Sequence, residues 1–255
     1  MYCSFEYLHP TDLNALFDTM KSWGENMRLY AGGTDLLVLL RARKISCKAL
    51  ADIKGIPELN GIHEDGDAIS IGAAVNLYDI ASNRLITQYI PALAGAAEKV
   101  GSVQIRFKGT LGGNIMNASP AGDGLCAAYG LGAEVELASR AGIRRLPVSQ
   151  FILAPRKTAI GPQEIVTRIC IPKQKYPLQT FFKVGRRNAL AISVVNGMIG
   201  LEISSGVVQR ASITLGSVAP TPVHAASAEK FLVGSALWPQ TLHEPERMVR
   251  EEIHA

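Results

Sequence analysis

Two double glycines constrain this chain more than any other feature. They stand in Ala31-Gly32-Gly33-Thr34-Asp35-Leu36 and in Gly109-Thr110-Leu111-Gly112-Gly113-Asn114-Ile115. Each pair sits where a strand or coil gives way to the next element. Glycine lets the backbone take positive φ and lets a ligand approach bare N–H groups. Successive N–H groups at a helix N-terminus form an anion site suited to a pyrophosphate. Thr34, Asp35, Thr110 and Asn114 add side-chain donors and acceptors for phosphate oxygens or ribose hydroxyls. Asp123 follows shortly after, at the start of an apolar helix. A plainer reading stays open, because double glycines also mark tight turns and Thr34 or Asp123 can simply cap helices. Neither common nucleotide fingerprint is present: there is no GxGxxG after the first strand and no GxxxxGK[ST] anywhere.

Composition narrows the class. With 255 residues, 47% of them hydrophobic and 19% charged, the chain is globular rather than disordered. Its net charge of +4 is spread without any long basic run, which argues against nucleic acid as a partner. Cys3, Cys47, Cys126 and Cys170 are scattered and form no CxxC pair, so neither a disulfide scaffold nor a metal or iron–sulfur site is expected in this chain. The N-terminus lacks the basic and apolar regions of a signal peptide. The longest apolar run, 189–203, is interrupted by Ser193, Asn196, Gly197 and Glu202 and is too short to span a bilayer. A cytoplasmic protein with no membrane span is the expectation.

The periodicities outline three parts. Leu13, Leu16, Phe17, Met20 and Trp23 recur at helical spacing, with Thr11 as the expected cap and Gly24 as the stop. A strand over 28–31, a helix over 36–41 and a strand over 49–53 then suggest a small βαβ unit. Next comes a hairpin over 62–71 turning at Asp65-Gly66, followed by an Ala-rich helix over 91–100. A glycine-rich loop is expected over 108–124, a helix over 125–131, a strand over 134–138 and another strand ending at Pro172. Pro172 and Pro177 bracket a polar stretch that reads as a boundary. Beyond it, strands over 181–184, 193–203 and 209–215 precede helices over 225–232 and 244–254.

Taken in order, Ala31-Gly32-Gly33-Thr34-Asp35-Leu36-Leu37 and Thr110-Leu111-Gly112-Gly113-Asn114-Ile115, with Ala118-Ser119-Pro120 and Asp123, resemble the flavin-binding subunit of the molybdenum hydroxylases, the xanthine dehydrogenase and carbon monoxide dehydrogenase family. Gly101-Ser102-Val103-Gln104-Ile105-Arg106, Phe182-Lys183-Val184-Gly185-Arg186-Arg187 and Gly216-Ser217-Val218-Ala219-Pro220-Thr221-Pro222 resemble it too. The resemblance implies an α+β fold. Two α/β subdomains of the vanillyl-alcohol-oxidase type, over 1–55 and 56–174, would clasp FAD, and a small antiparallel-sheet-plus-helix domain would occupy 175–255. Relatives continue beyond Glu251-Glu252-Ile253 into a further helix, so this last domain is expected to be truncated.

The same resemblance implies the site. Leu29, Tyr30, Ala31, Gly32, Gly33, Thr34, Asp35 and Leu36 would surround the pyrophosphate and adenosine side of FAD. Thr110, Leu111, Gly112, Gly113 and Asn114 would meet the pyrophosphate and ribityl chain. Val100, Gly101, Asp123, Val166 and Lys183 would be further contacts. No catalytic acid, base or metal ligand is expected from this chain. A large partner subunit would carry molybdenum–pterin and a small one 2Fe-2S clusters, the whole assembling as a dimer of heterotrimers. Electrons would pass to this FAD and on to NAD, or alternatively to oxygen or another carrier. The competing class is a scaffold subunit that holds no flavin, against which both intact glycine motifs argue.

Overall fold

The computed structural model describes residues 5–173, 175–187 and 189–254. Cys3 and Ala255 lie outside them. The first unit runs β1 (Glu6–Leu8), α1 (Leu13–Trp23), β2 (Met27–Tyr30), α2 (Leu36–Arg41) and β3 (Ala49–Asp52). Its strands form a parallel sheet in the order β1-β3-β2. The βαβ expectation therefore holds, with β1 added at the edge. Asp12, not Thr11, caps α1: its carboxylate accepts from the Ala15 N–H at 2.8 Å. Gly24 ends the helix at φ +50°, a conformation costly to any residue with a Cβ. Leu16 and Phe17 of α1 are buried in one core with Ala49 and Ala51 of β3.

The second unit runs β4 (Ile62–Asp65), β5 (Ala68–Gly72), α3 (Leu77–Ser82), α4 (Arg84–Tyr89), α5 (Pro91–Glu98), α6 (Val103–Lys108), α7 (Leu111–Met116), α8 (Asp123–Gly130), β6 (Glu134–Ser139), β7 (Gly142–Pro147), α9 (Val148–Phe151), β8 (Ile152–Ala154), β9 (Lys157–Thr158) and β10 (Ile165–Pro172). Its main sheet is antiparallel in the order β4-β5-β10-β6-β7. Ile69, Ile71, Val135 and Ile169 of this sheet share a core with Leu93 of α5 and Leu125 of α8. The alanines of α5 present little bulk, so five of its residues are buried at once.

The expected loop over 108–124 is a correction. Most of it is helical, and Gly112-Gly113 falls inside the first turn of α7. Glycine costs about 1 kcal/mol relative to alanine in a helix, which is why propensity points elsewhere. Two features, one local and one tertiary, override it. Thr110 caps the helix by accepting from the Gly113 N–H at 3.0 Å. Gly112 lies flat against Ala73, whose carbonyl oxygen would be 2.5 Å from any Cβ there.

The third unit runs β11 (Leu178–Gly185), β12 (Ser193–Ser204), β13 (Val207–Gly216), β14 (Val223–His224), α10 (Ala226–Leu232) and α11 (His243–His254). Its sheet is antiparallel in the order β11-β12-β13-β14. β12 turns into β13 through Ser205 and Gly206, at φ +51° and +78°, the sign that a two-residue hairpin turn requires. This sheet packs on α8 and α5 and so joins the second unit's core through Phe181 and Met198.

Candidate functional site

β2 ends at Tyr30 and the chain crosses to α2 through Ala31 to Asp35. This loop lies directly on the turn after α6: a Cβ at Gly32 would stand 2.2 Å from the Lys108 carbonyl oxygen. Gly33 follows at φ +71°. Among the described residues, no protein group accepts the N–H groups of Gly32, Gly33, Thr34 and Asp35. Gly32, Gly33 and Thr34 are half-buried and Asp35 is exposed, so these four consecutive donors are free for an external acceptor.

The second glycine pair behaves differently. The N–H of Leu111 donates to Val75 O at 3.2 Å and that of Gly112 to Ala73 O at 3.1 Å. Gly113 donates to the Thr110 hydroxyl at 3.0 Å and Asn114 to Thr110 O at 2.9 Å. The expectation that both pairs offer bare N–H groups is thus corrected. Here the glycines supply a wall without side chains, because their donors hold the fold.

Between these walls lies a cavity of about 620 Å³, within the range of cofactor sites. Of the residues expected at the site, Leu29, Ala31, Gly32, Gly33, Thr34, Asp35, Leu36, Val100, Thr110, Gly112, Gly113, Asn114 and Val166 line it. Tyr30 stands behind the loop and Leu111 is fully buried, so neither lines it. The side chain of Asn114 is also spoken for in part. Its Oδ1 accepts from the Leu125 N–H at 2.9 Å and caps α8, whose own cap residue Gly122 has no side chain to do so. Asp35 accepts from Asn117 Nδ2 at 3.1 Å, which ties α2 to the end of α7. Sequence reading missed Asn117, Arg28, Ile105 and Ile160 in the lining. Asn117 lies one helical turn beyond Asn114, a signal visible only once that segment is read as a helix.

A second cavity of about 670 Å³ adjoins the first, since Val100 lines one and its neighbour Gly101 lines the other. Lys99, Arg106 and Arg187 make it cationic against the acid Glu98 in its lining, with Lys183 balanced by Asp123 behind it. Arg106 donates to the carbonyls of Val100 and Gly101 at 3.2 and 3.3 Å and so steadies the divide. Asp123 lies outside both cavities and only 4% of it is exposed. It accepts from Lys183 Nζ at 2.5 Å, from Ser193 Oγ at 2.7 Å and from Asn196 Nδ2 at 2.7 Å. Lys183 also donates to Lys99 O at 3.0 Å. The structure therefore brings Asp123 to Lys183 and makes it the anchor of a cation on the wall of the second cavity. Beside Asp123, burial and then that carboxylate push the Cys126 thiol up to about 12, so Cys126 stays neutral and unreactive.

Residues 3–174 match the family described as the FAD binding domain in molybdopterin dehydrogenase, and 180–255 match the CO dehydrogenase flavoprotein C-terminal domain. The chain belongs to the FAD-binding subunits of the molybdenum hydroxylases. It is accordingly an oxidoreductase subunit, α+β in fold. It is 33% identical to the nicotinate dehydrogenase FAD-subunit of Eubacterium barkeri over 98% of this chain and 86% of that one. It is 30% identical to the carbon monoxide dehydrogenase medium chain of Afipia carboxidovorans, over 92% of this chain and 81% of that one. In structure it resembles quinoline 2-oxidoreductase from Pseudomonas putida 86, with a TM-score of 0.93 and 26% identity, covering 98% of this chain and 87% of that one. Among the described residues of this flavoprotein subunit, no helix is long and apolar enough to cross a membrane.

Proposed function

We propose that this subunit holds FAD across the first cavity and serves as the electron-transfer chain of a molybdenum hydroxylase. The observation that carries the reading is the row of four unpaired N–H groups at Gly32, Gly33, Thr34 and Asp35, facing a cavity of cofactor size. A pyrophosphate needs donors that no protein acceptor competes for, and this loop provides them. Gly112 and Gly113 would let the cofactor chain pass close to α7. Val100 and Val166 would close the apolar part of the cavity around it. The chemistry that bound FAD supplies is uptake and release of electrons, singly or in pairs. The protein's share is position and electrostatics, with no acid or base required from this chain.

A small subunit with 2Fe-2S clusters and a large one with molybdenum–pterin would complete the complex, as a dimer of heterotrimers. The names of the relatives as FAD-subunits and medium chains support this. For the acceptor we favour NAD, because Lys99, Arg106 and Arg187 make the adjoining cavity suited to an anion. Oxygen or another carrier is the second reading. The test is a visible spectrum of the purified chain, with cofactor release on denaturation. Near-stoichiometric, non-covalent FAD that NADH bleaches supports the proposal. Flavin that dithionite bleaches and NADH does not favours the other acceptors. A colourless, folded chain that takes up no added FAD overturns the flavin reading.

A further inference from the structure

The parallel sheet of the first unit brings the ends of its three strands together beneath the loop with the unpaired donors. β1 carries Tyr7 there, β2 ends in Tyr30 and β3 ends in Asp52. Tyr30 does not line the cavity, but the edge of its ring abuts the loop. A Cβ at Gly33 would stand 2.3 Å from Tyr30 Cε2. Gly33 therefore packs against the Cε2 edge of the ring, with a backbone conformation that favours glycine.

The ring is itself held through its face. Lys54 Nζ stands 3.9 Å from the Tyr30 ring centroid, over its face. That ammonium is fixed by Asp52, whose two oxygens each accept from it at 2.8 Å. Asp52 is fixed in turn by the Tyr7 hydroxyl at 2.6 Å and by the Lys54 N–H at 3.0 Å. The Tyr7 ring closes the cluster against Tyr30, 6.0 Å away and tilted by 63°. Burial, then the hydrogen bond to Asp52, push the Tyr7 hydroxyl up to about 12, so it remains a donor at any working pH.

We infer that Tyr30 is a positioning residue for FAD: the Tyr7–Asp52–Lys54 cluster pins its ring under Gly33, and the ring keeps the four N–H donors aimed into the cavity. The inference rests on the flavin reading above. The loop's donors have no protein partner, Gly32 is seated on the Lys108 turn and Asp35 is tied to Asn117, which leaves the Tyr30 ring as the contact that seats Gly33 between them, and order present before binding does not have to be supplied by the ligand. Tyr30 touches no ligand in this scheme. Its effect passes through Gly33.

The test uses the full-length chain stripped of flavin and titrated with FAD, with flavin fluorescence as the readout. Melting of the flavin-free chain is followed in parallel. Tyr30→Leu is expected to weaken FAD binding about tenfold, and Tyr30→Phe, which keeps the ring, to restore it. Lys54→Met is expected to weaken binding roughly twofold to fivefold, the measure of a half-exposed cation over a ring, beside a modest fall in melting from the loss of the Asp52 pair. In the Tyr30→Leu background, Lys54→Met should then have no further effect, because its influence runs through the ring. Equal losses from Lys54→Met in both backgrounds, or wild-type affinity in Tyr30→Leu, would overturn the inference while leaving the flavin reading intact. If the wild-type chain takes up no FAD, both fall together.

Discussion

Asp123→Asn isolates what the buried ion pair contributes. The carboxylate side chain is 4% exposed and the Lys183 side chain 11%. Asparagine keeps the shape and one acceptor for Ser193 and Asn196. It sets either a neutral oxygen or an amide donor against the Lys183 ammonium, which then keeps only Lys99 O as a full partner. Removing one member of a buried pair costs about 3–5 kcal/mol, most of it from the charge left behind. Lys183 lines the second cavity and can draw on water there, which places the expectation near the lower figure, about 3 kcal/mol. For a chain of this size that is a fall in Tm of roughly 6–12 °C. Lys183→Met should cost a similar amount by stranding the carboxylate. The double variant should cost less than the sum by about 1–3 kcal/mol, since neither charge is then stranded. Thermal and urea unfolding of the flavin-free full chain measures all three. A Tm within about 1 °C of wild type for Asp123→Asn, or strict additivity in the double variant, refutes the reasoning.

Three further outcomes are expected. Gly32→Ala puts a Cβ 2.2 Å from the Lys108 carbonyl, so the loop must lift off the 108–109 turn; FAD affinity should fall by at least about tenfold, read by equilibrium dialysis. Cys126 should resist iodoacetamide at pH 8 until the chain unfolds, as followed by mass spectrometry of quenched samples, because burial first and Asp123 second hold its thiol at about 12. Glu164 is held below its ordinary 4.5, first by the hydrogen bonds from Arg144 at 2.6 and 2.7 Å. A lowered carboxylate stabilises the fold above its unfolded value and loses that contribution as pH falls through the folded value. Glu164→Gln should therefore lower Tm at pH 7 by a modest amount, given how exposed Arg144 is, and leave Tm unchanged well below pH 4.5.

What was legible in the sequence follows from the range of the interaction. The helix over 36–41 and the strands over 49–53 and 193–203 rest on local periodicity, and the structure places them within a residue or so of expectation. β1 was not legible, because two of its three residues are exposed and it exists only by pairing with β3. α7 was hidden because its two glycines point locally to a loop, and the local cap at Thr110 forms a helix only with the fit of Gly112 against the distant Ala73. The arginine pairs divide in the same way. Arg144 and Arg145 are engaged by Glu164 and Glu136, whereas Arg187 turns to the second cavity, and nothing in either dipeptide tells them apart. For the site, motif positions were sufficient to locate the cavity wall. The apolar residues that complete it, such as Leu39 and Ile160, belong to no motif.

The two glycine pairs show why a motif is incomplete until its hydrogen bonds are traced. Both remove side chains from the same cavity, and in both a Cβ would strike backbone. At Gly32-Gly33 the N–H groups are left without acceptors, and the loop is held by packing, from Lys108 on one side and the Tyr30 ring on the other. At Gly112-Gly113 the N–H groups are consumed in fixing α7 to the 73–75 segment and to Thr110. On the flavin reading proposed above, the first pair would bind the pyrophosphate with its backbone, and the second would only make room for it. A substitution at Gly32 or Gly33 should act mainly on ligand affinity, and one at Gly112 mainly on folding. Paired titration and melting of the alanine variants would reveal that division directly, and equal profiles at the two loops would contradict it.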